Sequence, residues 1–264
     1  MPKAIDFTGK KCVVFGVANQ RSIAFAISQQ LAAAGAEMVF AYQNERLKDH
    51  VEKAVATLGQ PGGSAPLLVQ CDALDEAQVS QVYEETAKRF GRVDLVVHCI
   101  AFAQHDDLGG EFSKTNLAGF RTALEVSAYT LMPIVSKAVP LMGEQGGSVV
   151  ALTFDASNRV YPGYNIMGTA KAALENIVRQ LAAEYGPKKV RVNAVSAGPL
   201  PTLAARSIPG FSEMRAAYET RSAMKRNVNH EEVANASLFL LSDLASGITG
   251  AVIPVDAGYS IMGL

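Results

Sequence analysis

Lys11-Cys12-Val13-Val14-Phe15-Gly16-Val17-Ala18-Asn19-Gln20-Arg21-Ser22-Ile23 is the stretch whose reading decides the fold. Lys11 to Phe15 is an apolar, β-branched run that stops at a glycine, as a buried strand does when it enters a turn. From Ser22 to Ala34 the apolar residues recur at helical spacing, with Ser22 placed to cap the first turn and Gly35 to end the last. Strand, short loop and helix then repeat. Strands are expected at Glu37 to Tyr42, Ala65 to Cys71, Val93 to Ile100, Gly147 to Phe154, Val190 to Val195 and Ala251 to Val255. Helices are expected at Glu45 to Leu58, Asp75 to Phe90, Tyr164 to Tyr185 and Glu231 to Leu241, with one or two more between 114 and 142.

Strands that are apolar throughout, rather than alternating, belong to a parallel sheet covered on both faces. The pattern therefore predicts an α/β protein: a single-domain, doubly wound parallel sheet of about seven strands with helices on both faces, the Rossmann fold. No linker or composition shift divides residues 1–264, so one domain is expected. Residues 198–230 break the rhythm with three prolines and weak periodicity. Such segments serve as binding loops or lids. Leu203, Ile208, Phe211 and Met214 argue against a disordered insertion there.

A chain of 264 residues that is 49% hydrophobic and 19% charged can bury a sizeable core. Its 24 basic and 25 acidic residues give a net charge of −1 and no basic run, which excludes a nucleic-acid partner from the expectation. Cys12, Cys71 and Cys99 fall in apolar runs read as strands, without metal-like spacing, and are expected to be reduced, buried thiols of a cytoplasmic protein. Met1 to Asp6 carries no apolar signal core, and no apolar run is long enough for a bilayer. No membrane association and no metal are expected.

In open parallel sheets, ligands bind beyond the carboxyl ends of the strands, where strand order reverses. Gly16 to Ile23 has one glycine in place of Gly-x-Gly-x-x-Gly. Gly16 permits close backbone approach, and Ser22 either caps the helix or offers its hydroxyl to a phosphate. Asp72, after the third strand, either bonds an adenine amino group or caps a helix. The second strand ends in Tyr42-Gln43-Asn44-Glu45-Arg46. A carboxylate near this place suits the ribose diol of NAD, and an arginine suits the 2′-phosphate of NADP. Gln43 is neutral, and Arg46 and Lys48 come slightly later, which favours NADH over NADPH.

Tyr164 and Lys171 lie seven residues apart in a segment of helical character, which places them about two turns apart on one face. A phenol beside a cation donates a strong hydrogen bond to an oxygen that is gaining charge. That chemistry serves hydride addition next to a carbonyl.

With these residues in view, the chain resembles the short-chain dehydrogenase/reductase superfamily. Within it, the chain is similar to the NADH-dependent bacterial enoyl-acyl-carrier-protein reductases, nearly end to end. The resemblance rests on Gly16 to Ile23, Tyr42 to Lys48, His98 to Ala103, Tyr164 to Lys171, Arg191 to Pro199 and Asp256 to Tyr259. It implies reduction of a trans-2-enoyl thioester at its β-carbon by NADH, in fatty-acid elongation. It also implies acyl carrier protein as the partner bearing the substrate, and a homotetramer. Gly16, Ser22, Ile23, Gln43, Asp72, Ala73 and Ile100 would line the dinucleotide. Lys171 would bond the nicotinamide ribose, and Leu200, Thr202, Leu203 and Ala204 would run beside the nicotinamide amide. Tyr164, polarised by Lys171, would bond the thioester carbonyl, with Ala103 and Phe154 near the acyl group. Residues 198–230 would be the substrate-binding loop.

Ketone-reducing members carry a serine at the place of Ala151, which turns the expectation toward enoyl reduction. Thr153, the nearest hydroxyl, should share a strand face with Ala151. Two departures bear on substrate and rate. Phe154 stands where the family has a second tyrosine, so that hydroxyl is lost; Tyr161 is close, but is expected only to pack. Pro201 replaces an arginine, removing a cation and fixing φ. A ketone or other enone reductase, and a non-catalytic NAD(H)-binding regulatory protein, are the alternatives. His98 reads as a core histidine. Met132, Met142, Met167 and Met214 read as core or lid packing, and Asp106-Asp107 as a solvated loop. The apolar end, Tyr259 to Leu264, suits a subunit interface.

Overall fold

The computed structural model describes residues 5–60 and 63–263. The ends of the N-terminal and C-terminal segments read above, Met1 to Ala4 and Leu264, lie outside the described residues. Seven strands form one sheet: β1 (Lys11–Phe15), β2 (Glu37–Tyr42), β3 (Leu67–Gln70), β4 (Leu95–His98), β5 (Gly147–Thr153), β6 (Val190–Ala197) and β7 (Val252–Val255). Their order is β3-β2-β1-β4-β5-β6-β7, and every neighbouring pair is parallel. The chain runs outward from β1 to β3, then crosses back to lay β4 on the other side of β1. Strand order therefore reverses between β1 and β4, where Val14 pairs with both Phe40 and Val97.

Helices cover both faces of the sheet, which is why the strand sequences are largely apolar. On one face Cys12, Val14, Phe40, Val97, Val150 and Val195 pack with Ile27 and Leu31 of α1 (Ile23–Ala33), Val51 of α2 (Glu45–Ala56) and Leu240 of α8 (His230–Leu241). On the other, Val13, Phe15, Val96, Val149 and Val192 meet Val79 of α3 (Glu76–Phe90), Ile134 of α5 (Leu131–Met142) and Leu174 of α6 (Ile166–Tyr185). Each such side chain contributes roughly 1.5–3 kcal/mol through burial. A smaller cluster holds Phe154, Tyr161, Tyr164, Met167 and Met214, closed by Tyr218 of α7 (Phe211–Arg221).

The helix starts follow their capping residues. Asn44 accepts from the Leu47 N–H at 3.3 Å, and Asp75 from those of Ala77 and Gln78. Asn229 and Glu232 form a reciprocal capping box at α8. Between 114 and 142 the chain makes α4 (Leu117–Leu124), a π-helical turn at Glu125–Tyr129, and α5. Within 198–230 a 3₁₀ turn at Ala204–Ser207 precedes α7.

Several sequence expectations need correction. Only Cys12 lies inside a strand; Cys71 and Cys99 sit one residue past the ends of β3 and β4, because those strands stop at Gln70 and His98. All three thiols are free; Cys12 and Cys71 are buried as expected, whereas Cys99 is only half-buried, because it lines a cavity. Met132 is on the exposed side of α5, while Met142, Met167 and Met214 are buried. Asp107 is buried rather than solvated. A 3₁₀ turn at His105–Asp107 points its carboxylate at the first turn of α4, where negative charge is favoured. A Cβ on Gly119 would fall 2.0 Å from the Asp107 Oδ2, so glycine makes room for that approach. Tyr164 precedes its helix instead of lying within it: α6 begins at Ile166, after Asn165 turns the backbone at φ 36°.

Candidate active site

A cavity of about 820 Å³ opens at the carboxyl ends of the strands, across the point where their order reverses. Its size falls within the roughly 300–1,000 Å³ range of small-molecule sites. Every residue proposed from the sequence borders it: Gly16, Ser22, Ile23, Gln43, Asp72, Ala73, Ile100, Ala103, Phe154, Tyr164, Lys171, Leu200, Thr202, Leu203 and Ala204. The sequence reading missed Thr122, Val126 and Thr130, which reach the cavity from α4 and the π-helical turn. A π turn has no recognisable residue pattern, so only the packing reveals that Val126 and Thr130 face the site.

At the β1–β2 end the cavity is shaped to admit a backbone-hugging ligand. Gly16 has φ +102°, and a Cβ there would stand 2.4 Å from the Cys99 carbonyl oxygen. Any side chain would push the loop after β1 away from β4. Ser22 occupies the N-cap position of α1 without capping it: its hydroxyl donates to the Asn19 carbonyl at 2.6 Å. With no acidic residue in that first turn, the leading N–H groups of α1 keep their capacity for an anion. Asp72 is not the cap of α3, a role Asp75 fills; Asp72 accepts from the Leu74 N–H at 3.1 Å and borders the cavity. These features fit the adenosine and diphosphate of a dinucleotide.

At the β5 end stand Tyr164 and Lys171. The turn before α6 fixes Tyr164: its N–H donates to the Tyr161 carbonyl, its own carbonyl accepts from Met167, and the Asn165 amide nitrogen donates to the Gly109 carbonyl. Its ring sits edge-on to Phe154, with centroids 5.1 Å apart. Burial raises the phenol above its ordinary value, so it stays protonated and able to donate. Lys171 Nζ donates to the Leu152 carbonyl at 2.8 Å. Burial lowers its ammonium to about 8, against the opposing pull of Cys99 and Glu175.

Hydroxyls near this end are accounted for. Thr153 shares the face of Ala151, as strand alternation requires. Its Oγ1 donates to Glu175 Oε1 at 2.8 Å, and Glu175 also lies 3.9 Å from Arg179. Ala151 is fully buried and pairs with His98 in the sheet. Tyr161 donates to Asp155 Oδ2 at 3.0 Å, and its oxygen also lies 3.0 Å from the Tyr218 hydroxyl. Tyr161 is therefore a packing residue that does not replace the hydroxyl missing from Phe154. His98 is buried, with Nε2 2.9 Å from Thr130 Oγ1 and Nδ1 lacking a partner. Burial, then the charge of Lys171, lowers it to about 3, so it is a neutral core histidine that steadies a cavity-wall threonine.

Pro201 sits at the centre of a tight turn in which the Thr202 N–H donates to the Leu200 carbonyl at 2.8 Å. A fixed φ near −65° suits that geometry, and the donor that proline lacks is not called upon.

A family model described as enoyl-(acyl carrier protein) reductase matches residues 16–260. An enoyl-[acyl-carrier-protein] reductase [NADH] from Nostoc sp. is 46% identical over 261 residues, spanning 98% of this chain and all of that one. An enoyl-[acyl-carrier-protein] reductase [NADPH] from Staphylococcus aureus is 42% identical, over 97% of this chain and 98% of its own. The crystal structure of the Bacillus cereus enoyl-acyl carrier protein reductase with NADP+ and indole naphthyridinone superposes with a TM-score of 0.95. The two are 41% identical over 99% of this chain and 100% of that one.

Proposed function

The chain belongs to the enoyl-acyl-carrier-protein reductase family, and from that premise we propose that it reduces trans-2-enoyl thioesters with NADH through Tyr164 and Lys171. It is an oxidoreductase of the short-chain dehydrogenase/reductase type, acting in fatty-acid synthesis with a nicotinamide dinucleotide.

The observation that carries the residue roles is one cavity with a glycine cradle at one end and Tyr164 and Lys171, both buried, at the other. A reduced dinucleotide, when bound, supplies the hydride that adds to the β-carbon of the enoyl thioester. Gly16, Ser22 and Ile23 would receive its diphosphate, Gln43 its adenosine ribose, and Asp72 and Ala73 its adenine. Ile100, Leu200, Thr202, Leu203 and Ala204 would flank the nicotinamide end, and Lys171 would hold the second ribose. As hydride arrives, negative charge gathers on the thioester oxygen as an enolate, and a proton from solvent then reaches the α-carbon to complete the reduction. Tyr164 donates its hydroxyl to that oxygen, and the Lys171 cation strengthens the donor. One such donor is worth about 3 kcal/mol of barrier. Ala103 and Phe154 would shape the acyl channel, with residues 198–230 as the substrate loop.

Thr153 and Ala151 favour the enoyl reaction over ketone reduction. Ala151 offers no hydroxyl, and the Thr153 proton is committed to Glu175, so a second donor to a ketone oxygen is missing. A purely regulatory, nucleotide-binding role has no use for the buried Tyr164–Lys171 pair.

The NADH preference rests on the end of β2. Gln43 is neutral, and Glu45 follows it, lying 3.4 Å from the Tyr42 hydroxyl and 3.6 Å from Lys48. A carboxylate there opposes a 2′-phosphate, and the nearest lysine is already engaged. We further infer that acyl carrier protein presents the substrate, that the chain acts in the cytoplasm, and that it assembles as a homotetramer. Among the described residues no helix is long and apolar enough to cross a membrane. The test is oxidation of NADH with crotonyl thioester, against acetoacetyl thioester and NADPH. Turnover of the enoyl substrate with NADH is expected. Turnover of the keto substrate alone would reassign the reaction, and silence with both, while NADH binds, would assign a regulatory role.

A further inference from the structure

We propose that a second pocket, on the lip of the main cavity, grips the diphosphate of the bound dinucleotide and so ties the segment carrying Arg206 down over the cofactor. The inference rests on the assignment of the main cavity to a dinucleotide. The pocket, of about 450 Å³, lies between the loop after β1, helix α2 and the 3₁₀ turn at Ala204–Ser207. Arg21 enters it from the first of these, His50 and Lys53 from the second, and Arg206 from the third. Asn19 and Leu203 line both this pocket and the main cavity, so the two spaces adjoin.

Its charge is out of proportion to the rest of the chain. In a chain with 24 basic and 25 acidic residues overall, three permanent cations line the pocket and no carboxylate does. Among the described residues Arg21, Lys53 and Arg206 join no ion pair, whereas Lys48 on the same helix pairs with Glu45. Like charges gathered around one space repel until an anion enters it. A second feature points the same way: the leading N–H groups of α1, beside Asn19 and Arg21, have neither a side-chain cap nor an acidic neighbour. Backbone donors on one side and guanidinium and ammonium groups on the other suit a phosphate.

Three sources offer phosphate chemistry: the diphosphate common to NADH and NADPH, the 2′-phosphate of NADPH, and the phosphopantetheine arm of a carrier-bound substrate. The position selects the first. The pocket adjoins the loop feeding α1 and lies toward β1 and β2, whereas Tyr164 follows β5, two strands beyond β1 in the sheet. Because Arg206 belongs to the 3₁₀ turn at Ala204–Ser207, whose hydrogen bonds are local, rather than to the sheet, cofactor binding would fasten that turn before substrate enters.

The test is calorimetric titration of NADH and NADPH into the full chain. It compares the wild type, Lys53→Gln, Arg206→Gln, their double variant and Lys48→Gln as a same-helix control, each with its melting curve. Lys53→Gln and Arg206→Gln should each weaken both dinucleotides about fivefold, as loss of one partly exposed charge contact does. The double variant should lose more and show a shallower dependence on salt, while Lys48→Gln should match the wild type for NADH. Unchanged NADH affinity in the double variant overturns the proposal. A loss confined to NADPH assigns the pocket to the 2′-phosphate and also overturns it. So does a loss confined to the KM of carrier-linked crotonyl substrate, measured against a phosphate-free thioester. If the wild type itself binds neither dinucleotide, the assignment of the main cavity has failed, and this inference falls with it.

Discussion

Leu152, Thr153 and Lys171 form the floor of the cavity, and residues 200–208 form its roof. The floor residues are held in the ladder between β5 and its neighbours or in α6, and their side chains bond to partners far away in sequence: Lys171 to Leu152, Thr153 to Glu175. In the roof the hydrogen bonds are local, from Thr202 to Leu200, Ala205 to Thr202, Ser207 to Ala204 and Ile208 to Ala205. Lys171 is 5% exposed; Leu203, across the cavity, is 61% exposed. Groups that must meet a developing charge within tenths of an ångström belong on elements that cannot shift. A segment with few distant contacts opens at low free-energy cost and admits a long substrate. The floor should therefore set the rate of chemistry, and the roof should set access.

The largest effect should come from the floor. Tyr164→Phe removes the only donor proposed for the thioester oxygen and should lower kcat by about 10²–10³-fold. Its NADH dissociation constant, read by titration, should barely move. Unchanged turnover would remove Tyr164 from the mechanism and break the division between the two regions. Next comes Thr153→Val, which keeps the shape but leaves the buried Glu175 carboxylate short of one donor. Loss of such a bond should destabilise the fold by about 1–3 kcal/mol, seen as a lower urea midpoint. An unshifted midpoint would mean that the floor is not held by that contact.

A third effect follows from Lys171. Burial lowers its ammonium to about 8, so the cation is present below that pH and is lost as pH rises through it. Turnover of the enoyl substrate at saturating NADH should fall above about pH 8, approaching tenfold per further unit if only the charged form is active. A flat profile to pH 10 would show that the charge of Lys171 does not assist Tyr164.

The same contrast explains what the sequence disclosed. Fully apolar runs such as Cys12 to Phe15 declare a sheet covered on both faces, because burial leaves polar residues no place there. The motif positions that face the cavity were legible by resemblance. The start of α6 was not, because helical periodicity runs through Tyr164 while one left-handed residue, Asn165, ends it. Asp107 looked solvated because its burial depends on a residue without a side chain in the following helix, Gly119. Val126 and Thr130 escaped notice because a π turn rotates its side chains away from the helical pattern. Local signals report local structure; contacts between one element and the next leave no mark on either partner alone.

The smallest effect should come from the roof, and it sharpens the comparison most. Pro201 restricts the unfolded chain and suits the tight turn between Leu200 and Thr202, so Pro201→Ala should cost only about 0.4–1 kcal/mol of stability. Released from that restriction, the roof should sample more open states and close less often over the acyl chain. KM for crotonyl thioester should rise by more than kcat falls, with NADH affinity changed less than either. A loss of kcat comparable to that of Tyr164→Phe would show that the roof positions the reacting atoms. The division between a floor that performs the chemistry and a roof that governs entry would then have to be given up.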